Sequence, residues 1–248
     1  MTKHVYSTDF YDYIDAGSRA SARIVAGALL GEMTIASLLD VGSGHGAWAA
    51  EWLKAAVGDV VAVDGDYVNR DQLAIPPENF VAHDLSRPLD LRRRFDLVQS
   101  LEVAEHLPPD RAGGFVDSLV RHGDVILFSA AVPHQGGEHH VNEQPPEYWR
   151  KLFAERGYEV FDWLRPRIAG RREVRPWYRF NSYIYANDEG QRRLSQSILA
   201  ARVPHGQALE IGGDLGWALR RTAVRLIPRQ LVKPIAMAKA SLEARLRK

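Results

Sequence analysis

The chain contains no cysteine, which excludes disulfides, thiolate nucleophiles and cysteine-ligated zinc, and agrees with a reducing compartment. It also lacks any apolar run approaching the ~18 residues that a membrane-spanning helix needs. An N-terminus carrying Asp9, Asp12 and Asp15 does not fit a signal peptide. The expectation is a soluble, cytoplasmic protein. Net charge is nearly absent too: 32 basic against 31 acidic residues leave +1, so no overall field recruits nucleic acid and no nucleic-acid partner is expected. No internal repeat or low-complexity segment stands out. What is present is enough to bury a full-sized core: 248 residues, 46% of them hydrophobic, suit one main domain with an appendage.

The chain is organised around Ser37-Leu38-Leu39-Asp40-Val41-Gly42-Ser43-Gly44-His45-Gly46. A short apolar run ends in an acid and then in glycines at alternate positions, and a helical pattern follows over 47–56. Glycine lets the backbone turn sharply and approach a ligand with no Cβ in the way. This is a cofactor-binding turn, but the spacing Gly42-x-Gly44-x-x-Ala47 also fits a dinucleotide site. The next strand, 60–63, is a β-branched run of the kind buried on both faces. It ends in Asp64, with Asp66 two residues on. An acid there, about 20 residues past the turn, can accept from both hydroxyls of a ribose.

Further strands are read at 79–83, which again ends in an acid, Asp84, and at 95–99 and 124–130. Helices start at Pro108-Pro109 and at Pro145-Pro146. Strand–helix alternation at this spacing means a parallel sheet wrapped on both faces. Segments 158–163 and 178–186, joined by Arg-rich residues 165–177, read as an edge hairpin whose last strand is antiparallel. Before the first strand a helix opens at Gly17-Ser18, with Ile24, Val25, Ala28 and Leu29 on one face. It is read as a cover for the sheet edge, or as a lid that brings Tyr11, Ser18 and Arg19 over the glycine turn.

These residues, with Ser100-Leu101-Glu102-Val103-Ala104-Glu105-His106-Leu107, resemble the class I S-adenosylmethionine-dependent methyltransferases, in particular the bacterial small-molecule group. The resemblance covers about residues 17–187. It implies an α/β fold, a doubly wound seven-stranded, mostly parallel sheet of order 3-2-1-4-5-7-6 with the last strand antiparallel. It also implies S-adenosyl-L-methionine as cofactor: the backbone at Gly42 and Gly44 toward the methionine moiety, Asp40 toward its amino group, Asp64 on the ribose, and Asp84 and Leu85 on the adenine. The lid reading of the N-terminal helix adds Tyr11 and Ser18 to the cofactor contacts. No Asn-Pro-Pro-Tyr or Asp-Pro-Pro-Tyr stands before Pro108, which argues against methylation of nucleobase or glutamine nitrogens.

Methyl transfer to a hydroxyl needs alignment and a place for the proton, and at neutral pH histidine is the natural base. The candidates are His106 after the fourth strand and His134, His139 and His140 in the loop 133–143 after the fifth. Glu102, Glu105, Asn142 and Glu143 accompany them as substrate contacts. No metal is expected, because the neighbours His139 and His140 point apart in an extended segment. The arginines of 165–177 suggest an anionic acceptor. The domain is read as residues 1–187, followed by a basic helical extension, 188–248. That extension is a candidate for a dimerisation arm or for contact with an acidic partner or an anionic membrane surface. The reading is methyl transfer to an oxygen nucleophile of a natural product, sugar or peptide C-terminus. The alternatives are an NAD(P)-dependent oxidoreductase and a non-catalytic scaffold on the same fold.

Overall fold

The structure, a computed structural model, describes residues 8–227, with side chains from residue 17 onward. The side chain of Tyr11 and the basic residues beyond 227 lie outside the described residues.

Seven strands form one sheet: β1 (Ser37–Val41), β2 (Asp59–Asp64), β3 (Phe80–Ala82), β4 (Leu97–Leu101), β5 (Val125–Ser129), β6 (Glu159–Phe161) and β7 (Tyr183–Ala186). Their order is β3-β2-β1-β4-β5-β7-β6. Neighbours from β3 to β5 pair in parallel, and β7 runs antiparallel to both β5 and β6. Every residue of β4 and β5 is buried, as continuous apolar strands in the middle of a covered sheet must be. Two polar residues, Gln99 and Ser100, are buried within β4, and the Gln99 side-chain oxygen accepts from Trp52 Nε1 at 2.8 Å.

Because side chains alternate along a strand, Leu38 and Leu39 face opposite cores. On one face pack α1 (Thr8–Leu30), α2 (Ala47–Lys54), α5 (Leu164–Ile168), α6 (Pro176–Asn181) and α8 (Gln196–Leu199); on the other pack α3 (Ala112–His122) and α4 (Pro146–Ala154). Between β7 and α8 lies the short α7 (Asp188–Gln191), and α9 (Leu215–Leu226) closes the described chain.

Two local readings change. The segment 165–177 is not an open hairpin linker. It carries the short helix α5 and the start of α6 with a turn between them, and β7 begins only at Tyr183. Pro176 at the first position of α6 starts a helix, and the turn seats Tyr178 edge-on against Trp48, ring centroids 4.9 Å apart. The helix expected from Pro108-Pro109 starts instead at Ala112, after a 3₁₀ turn over Pro109–Arg111. The described extension packs tightly onto the sheet. Leu194 and Ile198 join one core, Val203 and Leu209 the other, and the buried Arg150 donates to the carbonyls of Val203, Pro204 and Gln207 at 3.2, 2.7 and 2.6 Å. No described helix is long and apolar enough to cross a membrane.

Candidate active site

At the carboxyl edge of β1 the chain turns through Gly42, Gly44 and Gly46 at φ of 85°, 54° and 81°, the left-handed region that glycine occupies without strain. Gly42 is also short of room, since a Cβ there would stand 2.2 Å from Val103 Cγ2. The turn is held from below by the Val63 carbonyl, which accepts from Gly42 N at 2.8 Å and Ser43 N at 3.2 Å. Beside it, the Asp64 carboxylate accepts from Gly44 N and Gly65 N, each at 2.6 Å, and from the Tyr67 hydroxyl. Burial raises the Asp64 pKa, against those donors. Asp40 lies under the turn. Burial pushes its carboxyl up to about 7, with the Gln99 amide opposing and the Asp64 charge adding, and its Oδ2 is buried without a hydrogen-bond partner. An orphaned acceptor of this kind fits an ammonium group.

The neighbouring strands β4 and β5 end in a second group of acids. Glu102 adopts φ 58°, and its N–H donates to the Ser129 carbonyl and hydroxyl at 3.0 and 3.1 Å. Its carboxylate accepts from Gln135 Nε2 at 2.5 Å and Asn181 Nδ2 at 3.2 Å. The Glu105 carbonyl accepts from the N–H groups of Val141 and Asn142 at 2.9 and 3.0 Å, which clamps the loop 133–143 onto the β4 edge. The Glu105 side chain is fully buried, and neither carboxylate oxygen has a hydrogen-bond partner. Burial, then the charges of Glu102 and Glu143, raise its pKa well above the usual range. His140 Nδ1 is 2.9 Å from Glu143 Oε1, and its Nε2 is 4.0 Å from Glu105 Oε1. The rings of His106 and His140 meet edge-on, centroids 5.0 Å apart.

A glycine turn with acids on either side, and a seven-stranded sheet of this order, can be compared with known proteins. A family model described as a methyltransferase domain matches residues 7–162. The chain belongs to this methyltransferase family. Its cofactor is S-adenosylmethionine. Among solved structures, DesVI from Streptomyces venezuelae is 16% identical, with 74% of this chain and 99% of that one covered, at a TM-score of 0.56. An O-methyltransferase family protein from Burkholderia thailandensis is 14% identical, covers 72% and 58%, and has a TM-score of 0.51. These likenesses are of fold. No curated protein matches.

In this methyltransferase the residues expected to hold the cofactor divide into two sets. Asp40, Gly42, Gly44 and Asp64 surround one turn. Asp84 is half exposed and accepts from its own neighbour Ser86, at 3.0 Å from the N–H and 2.6 Å from the hydroxyl, with Leu85 half-buried beside it. Ser18 Oγ is buried 3.2 Å from the Tyr178 hydroxyl, so α1 is tied to α6, and Arg19 pairs with Glu51 of α2 at 3.7 Å. Of the substrate candidates, Glu102, Glu105, Asn142 and Glu143 converge with His106 and His140. His139 takes φ 57° in the same loop, and the exposed His134 contributes its backbone N–H to Glu143 Oε2 at 2.9 Å. Two of the arginines suggested for an anionic acceptor have structural work: Arg165 pairs with Asp162 at 2.6 Å and lies over the Tyr183 ring, and Arg167 covers Trp163; Arg171 and Arg172 are exposed. Sequence reasoning missed Gln135 and Asn181, which hold Glu102, and Tyr67 on Asp64. Isolated amides and a loop tyrosine carry no periodic or motif signal. A groove of about 590 Å³ lined by Met33, Ile35, Arg193 and Ser195 flanks the start of β1, at the other end of the strand from these acids.

Proposed function

We propose that the chain methylates an oxygen nucleophile of a small-molecule acceptor: a natural product, a sugar or a peptide C-terminus. The observation that supports this most directly is the His140–Glu143 pair, 2.9 Å apart, beside the buried Glu105, whose loop neighbour Val103 packs on Gly42 of the cofactor turn. When bound, the cofactor supplies an electrophilic methyl group. The glycine turn, Asp40 and Asp64 hold it, the orphaned Asp40 oxygen taking the ammonium. With Nδ1–H given to Glu143, His140 keeps Nε2 as a proton acceptor, the tautomer a general base needs. Glu102, fixed by Gln135 and Asn181, lines the same edge, and its charge reaches the buried Tyr178 near the start of α2. Fixed groups of this kind orient an acceptor and so lower the barrier by alignment.

The experiment is mass spectrometry of acceptor panels incubated with the protein and S-adenosylmethionine. The expected result is one added methyl group, on oxygen, in a hydroxyl- or carboxyl-bearing acceptor. Methyl addition confined to amines would overturn the oxygen assignment.

A further inference from the structure

We infer that Glu105, His106 and His140 form a binding site for a divalent transition-metal ion. One ligand atom from each of the three lies within 4.8 Å of the others. The expectation of no metal rested on His139 and His140 sharing an ion; the fold instead joins His140 to two residues of the β4 loop.

Four observations converge. Both Glu105 oxygens are buried without a hydrogen-bond partner, and no described Lys or Arg forms an ion pair with them. An ionised carboxylate left so in a protein interior is costly unless a cation reaches it. The acids Glu102 and Glu143 add their charge to the same place, so the region attracts positive charge. His140 gives Nδ1 to Glu143 at 2.9 Å. A metal-bound histidine almost always has its second nitrogen on a carboxylate or carbonyl, which sets the tautomer and aims the other nitrogen at the ion. Finally, His106 is exposed on its outer side while meeting His140 edge-on, so its ring can turn. An ion about 2.1 Å from each ligand places ligand atoms about 3.4 Å apart; the Glu105–His140 pair, 4.0 Å apart, closes to this by a small side-chain shift, and His106 by rotation of its ring.

One carboxylate and two imidazoles suit Mn²⁺, Fe²⁺, Co²⁺ or Zn²⁺ better than Ca²⁺, whose shell is all oxygen. Three protein ligands leave positions open, as in sites that bind a substrate oxygen. That use of the ion rests on the methyl-transfer reading above; the site itself does not. With the ion present, His140 Nε2 is a ligand, and the acceptor oxygen is made acidic by the metal in place of the free imidazole.

The test is titration of Co²⁺, with Zn²⁺ and Mn²⁺ as competitors, into the chelator-treated, tag-free full chain without S-adenosylmethionine, followed by calorimetry and visible absorption. The expected result is saturable 1:1 binding with cobalt bands of low coordination number. Loss of a direct ligand, in Glu105→Gln, His106→Ala or His140→Ala, should weaken it by about 100-fold or more, and Glu143→Gln by about 10-fold. His106 is exposed, so its variant is expected to keep the fold, to be checked by circular dichroism and S-adenosylmethionine affinity. No saturable binding below about 1 mM, or binding unchanged in both His106→Ala and Glu105→Gln, overturns the proposal. Because metal is titrated without cofactor, and cofactor affinity is measured without metal, failure of the site is distinct from failure of the methyl-transfer reading.

Discussion

The two halves of the carboxyl edge are built on different principles. The half at β1 and β2 is made by two successive strands and the turn after the first. The turn 42–46, the strand-end acid Asp64 and the Gly44 N–H it accepts from are all in place once two neighbouring strands pair. The half at β4 and β5 is made by residues from distant segments: the β4 loop supplies Glu102, Glu105 and His106, the loop 133–143 supplies Gln135, His140 and Glu143, and α6 supplies Asn181. The first half spends backbone groups on a ligand of invariant shape. In both halves burial opposes ionisation of the acids, Asp40 and Asp64 in the first and Glu102 and Glu105 in the second; what sets the second apart is Glu105, both of whose carboxylate oxygens are buried without a hydrogen-bond partner, a state that makes sense where charge is to be met by something from outside. A cofactor shared by a whole family suits a local, rigid site. An acceptor particular to one protein suits a site assembled from variable loops.

Four measurements would break or sharpen that comparison. The largest effect is expected on the acceptor side: His140→Ala should reduce kcat by about 100-fold or more, the scale of general-base or equivalent proton handling, while S-adenosylmethionine affinity by calorimetry stays the same. A parallel loss of cofactor affinity would show that the halves are one unit. Next is Asp64→Ala. It should weaken cofactor binding by more than about 1.5 kcal/mol, or over tenfold, the scale of a charge-assisted hydrogen bond. Unchanged affinity would remove Asp64 from the ribose.

Asp40 provides the third. Its carboxyl ionises near 3.8 in the unfolded chain and is pushed up to about 7 in the fold. The folded state therefore binds the extra proton between these values, and stability falls as pH rises through that window. Asp40→Asn should remove this slope in chemical denaturation followed at several pH values. An ammonium docked on Asp40 favours the ionised form. Cofactor binding should then release a proton, and its affinity should rise with pH, by at most about tenfold per unit, and level off above about 7. Flat affinity from pH 5.5 to 8 would separate Asp40 from the amino group. The smallest effect is expected for His134→Ala. Its exposed ring leaves the backbone N–H to Glu143 in place, so kcat should change less than about twofold, within the range of neutral surface substitutions.

Legibility in the sequence follows the same division. Asp40, Gly42, Gly44 and Asp64 could be read because each occupies a strand end or turn position relative to an apolar run, and apolar periodicity is a local signal. The sheet order came from the same alternation joined to a family resemblance, and the paired strands agree with it. The His-rich loop could be read as chemically dense, but not sorted. His140 sits in the cluster and His134 on the surface, although both look equivalent along the chain. The Arg-rich segment could be read as charged, but not sorted: Arg165 and Arg167 are held on Asp162, Tyr183 and Trp163, while Arg171 and Arg172 are exposed.

By itself, the sequence determined a wrapped parallel sheet, a glycine turn at the end of its first strand, and the acids at the ends of the next two. Only the tertiary structure decided which histidine meets Glu105 and that this carboxylate is sealed from water without a hydrogen-bond partner. It also decided that the segment before β7 coils into helices. The physical reason is range. Backbone turns and strand burial are dictated by residues within a few positions, whereas desolvation and charge pairing depend on which distant segments the closed fold brings within a few ångströms.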